Sequence, residues 1–235
     1  MTGVVVVTGA SGAIGRGIVE ALAAADHLVV GVDIRSDGVT EALDVTDAVA
    51  VAALIARVEE RDGPVNGLVN CAAVGPLGTI VETAEDTFDR VMAVNVKGTW
   101  LMSRAVLPSM FRAGGGSIVN IGSGAGHGKA NMAAYAASKA AVNALTMSLS
   151  RDHFDDHVRV NTVIPGGGGI PSGISLSRTG LTAEEYLRLP HRGSVSGSPV
   201  TPADVGAVVA FLMSDAARTI SGTVIDVGCM AGQGS

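Results

Sequence analysis

The stretch that most restricts this chain lies near its start. Val4–Val7 is a run of four β-branched residues that reads as a buried strand, and it passes directly into Thr8-Gly9-Ala10-Ser11-Gly12-Ala13-Ile14-Gly15. Arg16–Ala25 follows, with Ile18, Val19 and Leu22 at helical spacing. A strand that turns through glycines into a helix leaves free N–H groups and the positive end of the helix dipole at the turn. Glycine also lets the backbone approach a pyrophosphate closely. The segment therefore predicts a dinucleotide cradle built from Gly9, Ser11, Gly12, Ala13, Ile14 and Gly15, against the plainer alternative of a tight structural turn.

The rest of the chain repeats the alternation. Leu28–Val32, Glu41–Leu43, Leu68–Val69, Ser117–Ile121, Val158–Ile164 and Thr223–Val227 read as strands. Helical patterns lie between them near 46–61, 84–111, 135–152 and 202–213. Strands this apolar cannot face water, so the pattern predicts an α/β fold: a seven-stranded, mostly parallel sheet, doubly wound, with helices on both faces. Thr201-Pro202-Ala203-Asp204 marks one helix start, and Thr182-Ala183-Glu184-Glu185 is a capping box for a short helix near 183–189. Asp33 and Asp44 are too close for a full crossover helix, so a loop or single turn is expected there.

Composition narrows the class. The 235 residues are 47% hydrophobic and 16% charged, which fits one large core and argues against disorder. A net charge of −6 leaves no basic footprint for nucleic acid. Neither a signal peptide nor an apolar run of membrane-spanning length is visible, so the cytoplasm is the expected location. Cys71 and Cys229 lie far apart at or just beyond apolar runs, and core packing is preferred to a disulfide or a metal site.

Asp33 directly follows the second strand, 18 residues after Gly15. That is close to the spacing of about 20 residues at which an acid meets the adenosine ribose. A carboxylate there repels a 2′-phosphate, which favours NAD over NADP, although Arg16 and Arg35 are near in sequence. Asp44 has two readings of equal weight, an adenine partner or a helix cap with Thr46 and Asp47.

Tyr135-Ala136-Ala137-Ser138-Lys139 sets a phenol and an ammonium one helical turn apart on the same face. A free tyrosine, with a pKa of about 10, is a poor base at neutral pH, and making it a good one takes roughly 2.7 kcal/mol of differential interaction. A neighbouring lysine and the positive ring of an oxidised nicotinamide can supply that. The alternative, two residues merely sharing a helix face, is weakened by the Gly-rich strand end that precedes them and contains Ser123.

These pieces and their order resemble the single-domain short-chain dehydrogenase/reductases. The matching segments are Thr8–Gly15, Asp33, Asp44-Val45, Leu68–Ala72, Val94–Gly98, Ile118–Ser123, Tyr135–Lys139, Arg159–Gly166, Phe211–Asp215 and Ile225–Gly228. The resemblance implies a single Rossmann-type NAD(P)-binding domain over 1–235 with a substrate flap at about 166–200. It implies NAD as cofactor and hydride exchange with a secondary alcohol or ketone. Tyr135 would be the general acid/base. Lys139 would hold the nicotinamide ribose and lower the tyrosine pKa, Ser123 would donate to the substrate oxygen, and Asn95 would anchor a relay water. Ile34, Val45, Asn70, Cys71, Ala72, Pro165, Gly166 and Ile170 would complete the cofactor site. A homotetramer or homodimer built on the helices around 88–107 and 136–150 is also implied.

The chain departs from the family pattern at several positions. Gly122 and Cys71 replace a serine and an asparagine. Ser123 is one residue nearer to Tyr135 than usual, and the threonine that commonly follows Pro165-Gly166 is replaced by Ile170, with Ser172 as a substitute. The pocket is expected between Ser123/Tyr135, Val74–Leu77 and the flap. His127 and Lys129 beside it are either receptors for an acidic substrate or, preferably, solvated loop residues. The short connection after Asp33 resembles that of family members that oxidise cyclic dihydrodiols. An NAD-using epimerase or dehydratase, and a non-catalytic nucleotide-sensing module, are the rival readings.

Overall fold

The computed structural model describes residues 3–35, 40–166, 170–189 and 195–228. Strand β1 (Val4–Thr8) lies inside the sheet between β2 (Leu28–Asp33) and β4 (Val65–Asn70). Its side chains alternate between faces, yet all five residues are buried. Val4 and Val6 join one core layer, with Val51, Leu54, Ile55 and Val58 of α2 (Ala48–Asp62) and Met102, Val106 and Met110 of α4 (Thr99–Ala113). Val5 and Val7 join the other, with Ile18 and Leu22 of α1 (Ala13–Ala24) and Val205, Val209 and Leu212 of α8 (Pro202–Met213). At about 1.5–3 kcal/mol for each fully buried side chain of this size, a strand buried on both sides contributes heavily to the core.

Adding β3 (Glu41–Ala42), β5 (Gly116–Ile121), β6 (Val158–Pro165) and β7 (Val224–Val227) gives a seven-stranded sheet in the order β3-β2-β1-β4-β5-β6-β7. Every pairing is parallel. The chain winds outward from β1 to β2 and β3, then returns to place β4 on the other side. A crevice forms where the two windings part, above the carboxyl ends of β1 and β4.

The remaining helices are α3 (Glu85–Met92), α5 (Ala133–Asp152), α6 (Gly173–Thr179) and α7 (Ala183–Leu187). Thr182 and Thr201 accept from the backbone N–H of Glu185 and Asp204, whose carboxylates accept in return, so both expected helix starts are capped at α7 and α8. Helices α1 and α8 pack with almost no gap: a Cβ on Gly206 would lie 2.4 Å from the Gly17 carbonyl oxygen.

The structure corrects one element. The single helix expected over 84–111 is α3 and α4 joined through a wide π-type turn at Ala93–Gly98. That turn carries Asn95 into the interior, where it bonds to Val74. Helix α6 was not anticipated within the flap region. Cys229, Pro190 and the glycines at 167–169 lie outside the described residues.

Candidate active site

A cavity of about 850 Å³ opens along the carboxyl ends of the strands. At one end lies the glycine turn. Gly9 has a φ of 67°, a conformation that favours glycine. A Cβ on Gly15 would stand 2.2 Å from the Gly9 carbonyl oxygen, so the first turn of α1 can close onto the loop only without a side chain there. The N-terminus of α1 faces this cradle, and Gly12, its cap, makes no side-chain bond to the free N–H groups.

Asp33 ends β2 at the cavity wall, its carboxylate accepting from the Ser11 N–H (3.2 Å) and the Arg35 N–H (3.3 Å). Asp44 accepts from the Thr46 N–H and hydroxyl, at 2.9 and 2.8 Å, and Asp47 caps α2. The helix cap is thus Asp47, and Asp44 bonds Thr46 just outside the helix while lining the cavity beside Val45. Thr8 Oγ1 accepts from the Cys71 and Ala72 N–H groups (3.0 and 3.1 Å), tying the end of β4 to β1. Burial pushes the Cys71 thiol up to about 11, and the side chain packs on the core as expected.

The other end is built on α5. Tyr135 and Lys139 are 6% and 4% exposed, so both polar heads sit in a largely dry wall. Lys139 Nζ donates to the Ile121 carbonyl at 2.7 Å and lies 5.8 Å from the centre of the Tyr135 ring. Ser123 follows β5, its hydroxyl accepting from the Ala125 N–H (3.2 Å). Pro165, Gly166, Ile170 and Ser172 line the same side. His127 and Lys129 are exposed at the rim.

Gly9, Gly12, Ala13, Ile14, Gly15, Asp33, Ile34, Asp44, Val45, Cys71, Ala72, Ser123, Tyr135, Lys139, Pro165, Gly166 and Ile170 thus share one cavity. Three expected residues do not line it. Ser11 spends its N–H on Asp33, and its hydroxyl lies 3.3 Å from that of Thr40. Asn70 turns into the sheet, donating to Asn120 Oδ1 (2.8 Å) and Ser103 Oγ (3.3 Å). Asn95, 1% exposed, accepts from the Val74 N–H and donates to the Val74 carbonyl (2.9 Å each) and to Ser138 Oγ (3.0 Å). It holds the loop after β4 against α5, and both its amide hydrogens are engaged.

Other lining residues were not foreseen. Arg178 of α6 stacks 4.8 Å from the Tyr135 ring, and Tyr186 of α7 is buried beside the cavity. Neither is marked by a catalytic motif, and it is tertiary folding that brings Arg178 against α5 and Tyr186 to the cavity.

A family model described as Enoyl-(Acyl carrier protein) reductase matches residues 9–229. An inactive 2-(S)-hydroxypropyl-CoM dehydrogenase 2 of Xanthobacter autotrophicus is 38% identical over 189 residues, covering 78% of this chain and 80% of its own. The oxidoreductase UcpA of Salmonella typhimurium is 33% identical over 247 residues, covering 94% and 92%. A ligand-free aldohexose dehydrogenase of Thermoplasma acidophilum superposes with a TM-score of 0.90 at 29% identity, covering 100% of this chain and 95% of that one. The chain belongs to the short-chain dehydrogenase/reductase family and is an oxidoreductase of that family. Dehydrogenases of this family typically use a nicotinamide cofactor. The narrow glycine cradle, the anchored Asp33 and the cavity running from them to Tyr135 fit a dinucleotide of that kind.

Proposed function

We propose that the protein is an NAD(H)-dependent dehydrogenase/reductase acting on a secondary alcohol or its ketone, with Tyr135 as general acid/base. One observation carries the reading: Tyr135 and Lys139 share a buried wall of the cavity, and the lysine is held by a main-chain carbonyl instead of a carboxylate. Its charge is therefore not cancelled locally by an acid, and it stabilises a phenolate on the same helix face. Bound nicotinamide supplies the hydride acceptor or donor.

In the oxidative direction Tyr135 takes the hydroxyl proton, and Ser123 donates to the oxygen as charge gathers on it. Pro165, Gly166 and Ile170 border the nicotinamide. The cradle from Gly9 to Gly15 holds the pyrophosphate, with Ser11 acting through Asp33. Asp33 accepts from the ribose hydroxyls and disfavours a 2′-phosphate, supporting NAD. Cys71 and Ala72 form the floor, and Asn70 acts on the cofactor only indirectly, by bracing the end of β4 from inside the sheet. Asn95 positions Val74, and its remaining acceptor capacity is where a relay water binds.

The reading takes the chain as one nucleotide-binding domain, with α6 and α7 as parts of the substrate flap. It places the protein in the cytoplasm, consistent with the finding that no helix among the described residues is long and apolar enough to cross a membrane. Met92, Val96, half-exposed Trp100 and Leu145 line a shallow apolar groove between α4 and α5, which supports assembly as a homotetramer or homodimer.

The test is turnover of a panel of alcohols and ketones with NAD(H) and NADP(H), for the wild type and Tyr135→Phe. NAD(H)-linked activity that vanishes in the variant is the expected result. Cofactor retained through purification without net redox change would indicate an epimerase or dehydratase. Saturable NADH binding with no turnover of any panel member would favour a nucleotide-sensing module.

A further inference from the structure

We propose that Arg178 binds an anionic group of the substrate, so that the alcohol or ketone carries a carboxylate or a comparable compact anion close to the reacting carbon. The inference rests on the dehydrogenase reading above and extends it to substrate class.

The guanidinium lies 4.8 Å from the Tyr135 ring, beside the proposed acid/base and inside the same cavity. Its Nε makes a long bond to the Gly75 carbonyl (3.4 Å), while Nη2 is buried with no hydrogen-bond partner. An unsatisfied, buried donor on a cation is costly, and such groups are normally paired. No ion pair among the described residues includes Arg178. Burial pulls the guanidinium below its ordinary range; Tyr135, through charge and a side-chain hydrogen bond, and Tyr186 oppose this, and no carboxylate does, so the donor left over is Nη2.

The local backbone makes room for it. A Cβ on Gly75 would lie 2.8 Å from Nη2 and 3.0 Å from the Tyr135 ring, so the glycine in the loop after β4 leaves room for the guanidinium in its present position. His127 and Lys129, which follow Ser123 in sequence, line the same cavity as Arg178. A planar fork of donors held beside the reacting position matches a carboxylate, with Nη2 as the donor still to be satisfied.

The test uses the purified full-length protein with NAD. Lactate, 3-hydroxybutyrate and 4-hydroxypentanoate are each compared with their N-methyl amides, for the wild type, Arg178→Gln and Arg178→Lys. The wild type is expected to favour at least one acid over its amide in kcat/KM. Arg178→Gln loses about ten- to a hundredfold on that acid while the amide changes little. Arg178→Lys keeps part of the preference. Thermal melts supply a second readout: a binding arginine leaves the Arg178→Gln melting temperature unchanged or raised, since an unpaired buried cation is removed. Equal use of acids and amides by the wild type, or equal losses on both in Arg178→Gln, overturns the proposal. Absence of turnover of either series would count against the dehydrogenase reading alone. Calorimetric titration of the same acids and amides then decides the role of Arg178: a carboxylate preference lost in Arg178→Gln upholds it, and no preference overturns it.

Discussion

The two ends of the cavity are built by different means. At the proposed nucleotide end the contacts are mostly made by main chain: the Gly9 turn, the amides that grip Asp33, and the Cys71 and Ala72 amides on Thr8. The strands beneath it are central in the sheet and buried on both faces. The proposed substrate end is made by side chains on short, solvent-facing helices, with Arg178 on α6 stacked over Tyr135 and Tyr186 on α7 lining the same cavity. Backbone geometry leaves little room for a side chain at Gly9 and Gly15, whereas Arg178 and Tyr186 stand on short helices outside the sheet, where replacing them leaves the strands untouched.

This contrast can be broken or sharpened by experiment. The largest effect belongs to the junction of the two ends. Tyr135→Phe should lower kcat by about 10²–10⁴-fold, the usual contribution of a positioned acid/base, with NADH affinity retained. Loss of NADH binding instead would mean that the two ends are not separable. Next comes the cradle. Gly15→Ala forces a Cβ to within 2.2 Å of a backbone oxygen, so cofactor affinity, measured by NADH fluorescence, should fall sharply together with the melting temperature.

A third test concerns reactivity at the cradle floor. With its thiol pushed up to about 11, Cys71 in a Cys229→Ser background should react with iodoacetamide at pH 8 at least about a hundredfold more slowly than an unfolded control. The sign for stability follows from the same shift. The neutral thiol is favoured in the fold, so this contribution is intact below the unfolded pKa of about 8.5 and is lost as pH climbs toward 11. Cys71→Ala should flatten that part of the stability–pH curve in urea titrations. The smallest effect is at the opposite end. Thr182→Ala removes the cap of α7 and should cost about 1 kcal/mol locally, raising substrate KM while leaving NADH affinity unchanged. A matching loss of NADH affinity would show that α7 serves both ends.

How much of this was legible in sequence differs in the same way. The sheet, its parallel winding and the glycine cradle were readable because each depends on contiguous residues: a β-branched run, a glycine turn and a helix start. That Asp33, Tyr135 and Lys139 face one cavity was readable from the distance of Asp33 past the glycine turn and from the spacing of the other two along α5. The π-type turn at Ala93–Gly98 was not, because hydrophobic periodicity runs through it and no proline or glycine marks its start. Its cause is distant, the bonding of Asn95 to Val74. Asn70 was expected at the cofactor, but its carboxamide serves a buried chain of polar groups running through Asn120 to Thr146 and Thr162. Arg178 was invisible for a simpler reason. Forty-three positions separate it from Tyr135, and nothing near it in sequence distinguishes it from any other helical arginine.

The close seating of α8 on α1 bears on how the molecule is made. The helix whose N-terminus faces the cradle has its inner side covered by residues 202–213, roughly 180 positions later. The support behind the glycine turn therefore forms only when a segment far along the chain from it has folded against α1. On the function proposed above, a bound dinucleotide would thus report the folding of residues 202–213 as much as that of the glycine turn itself.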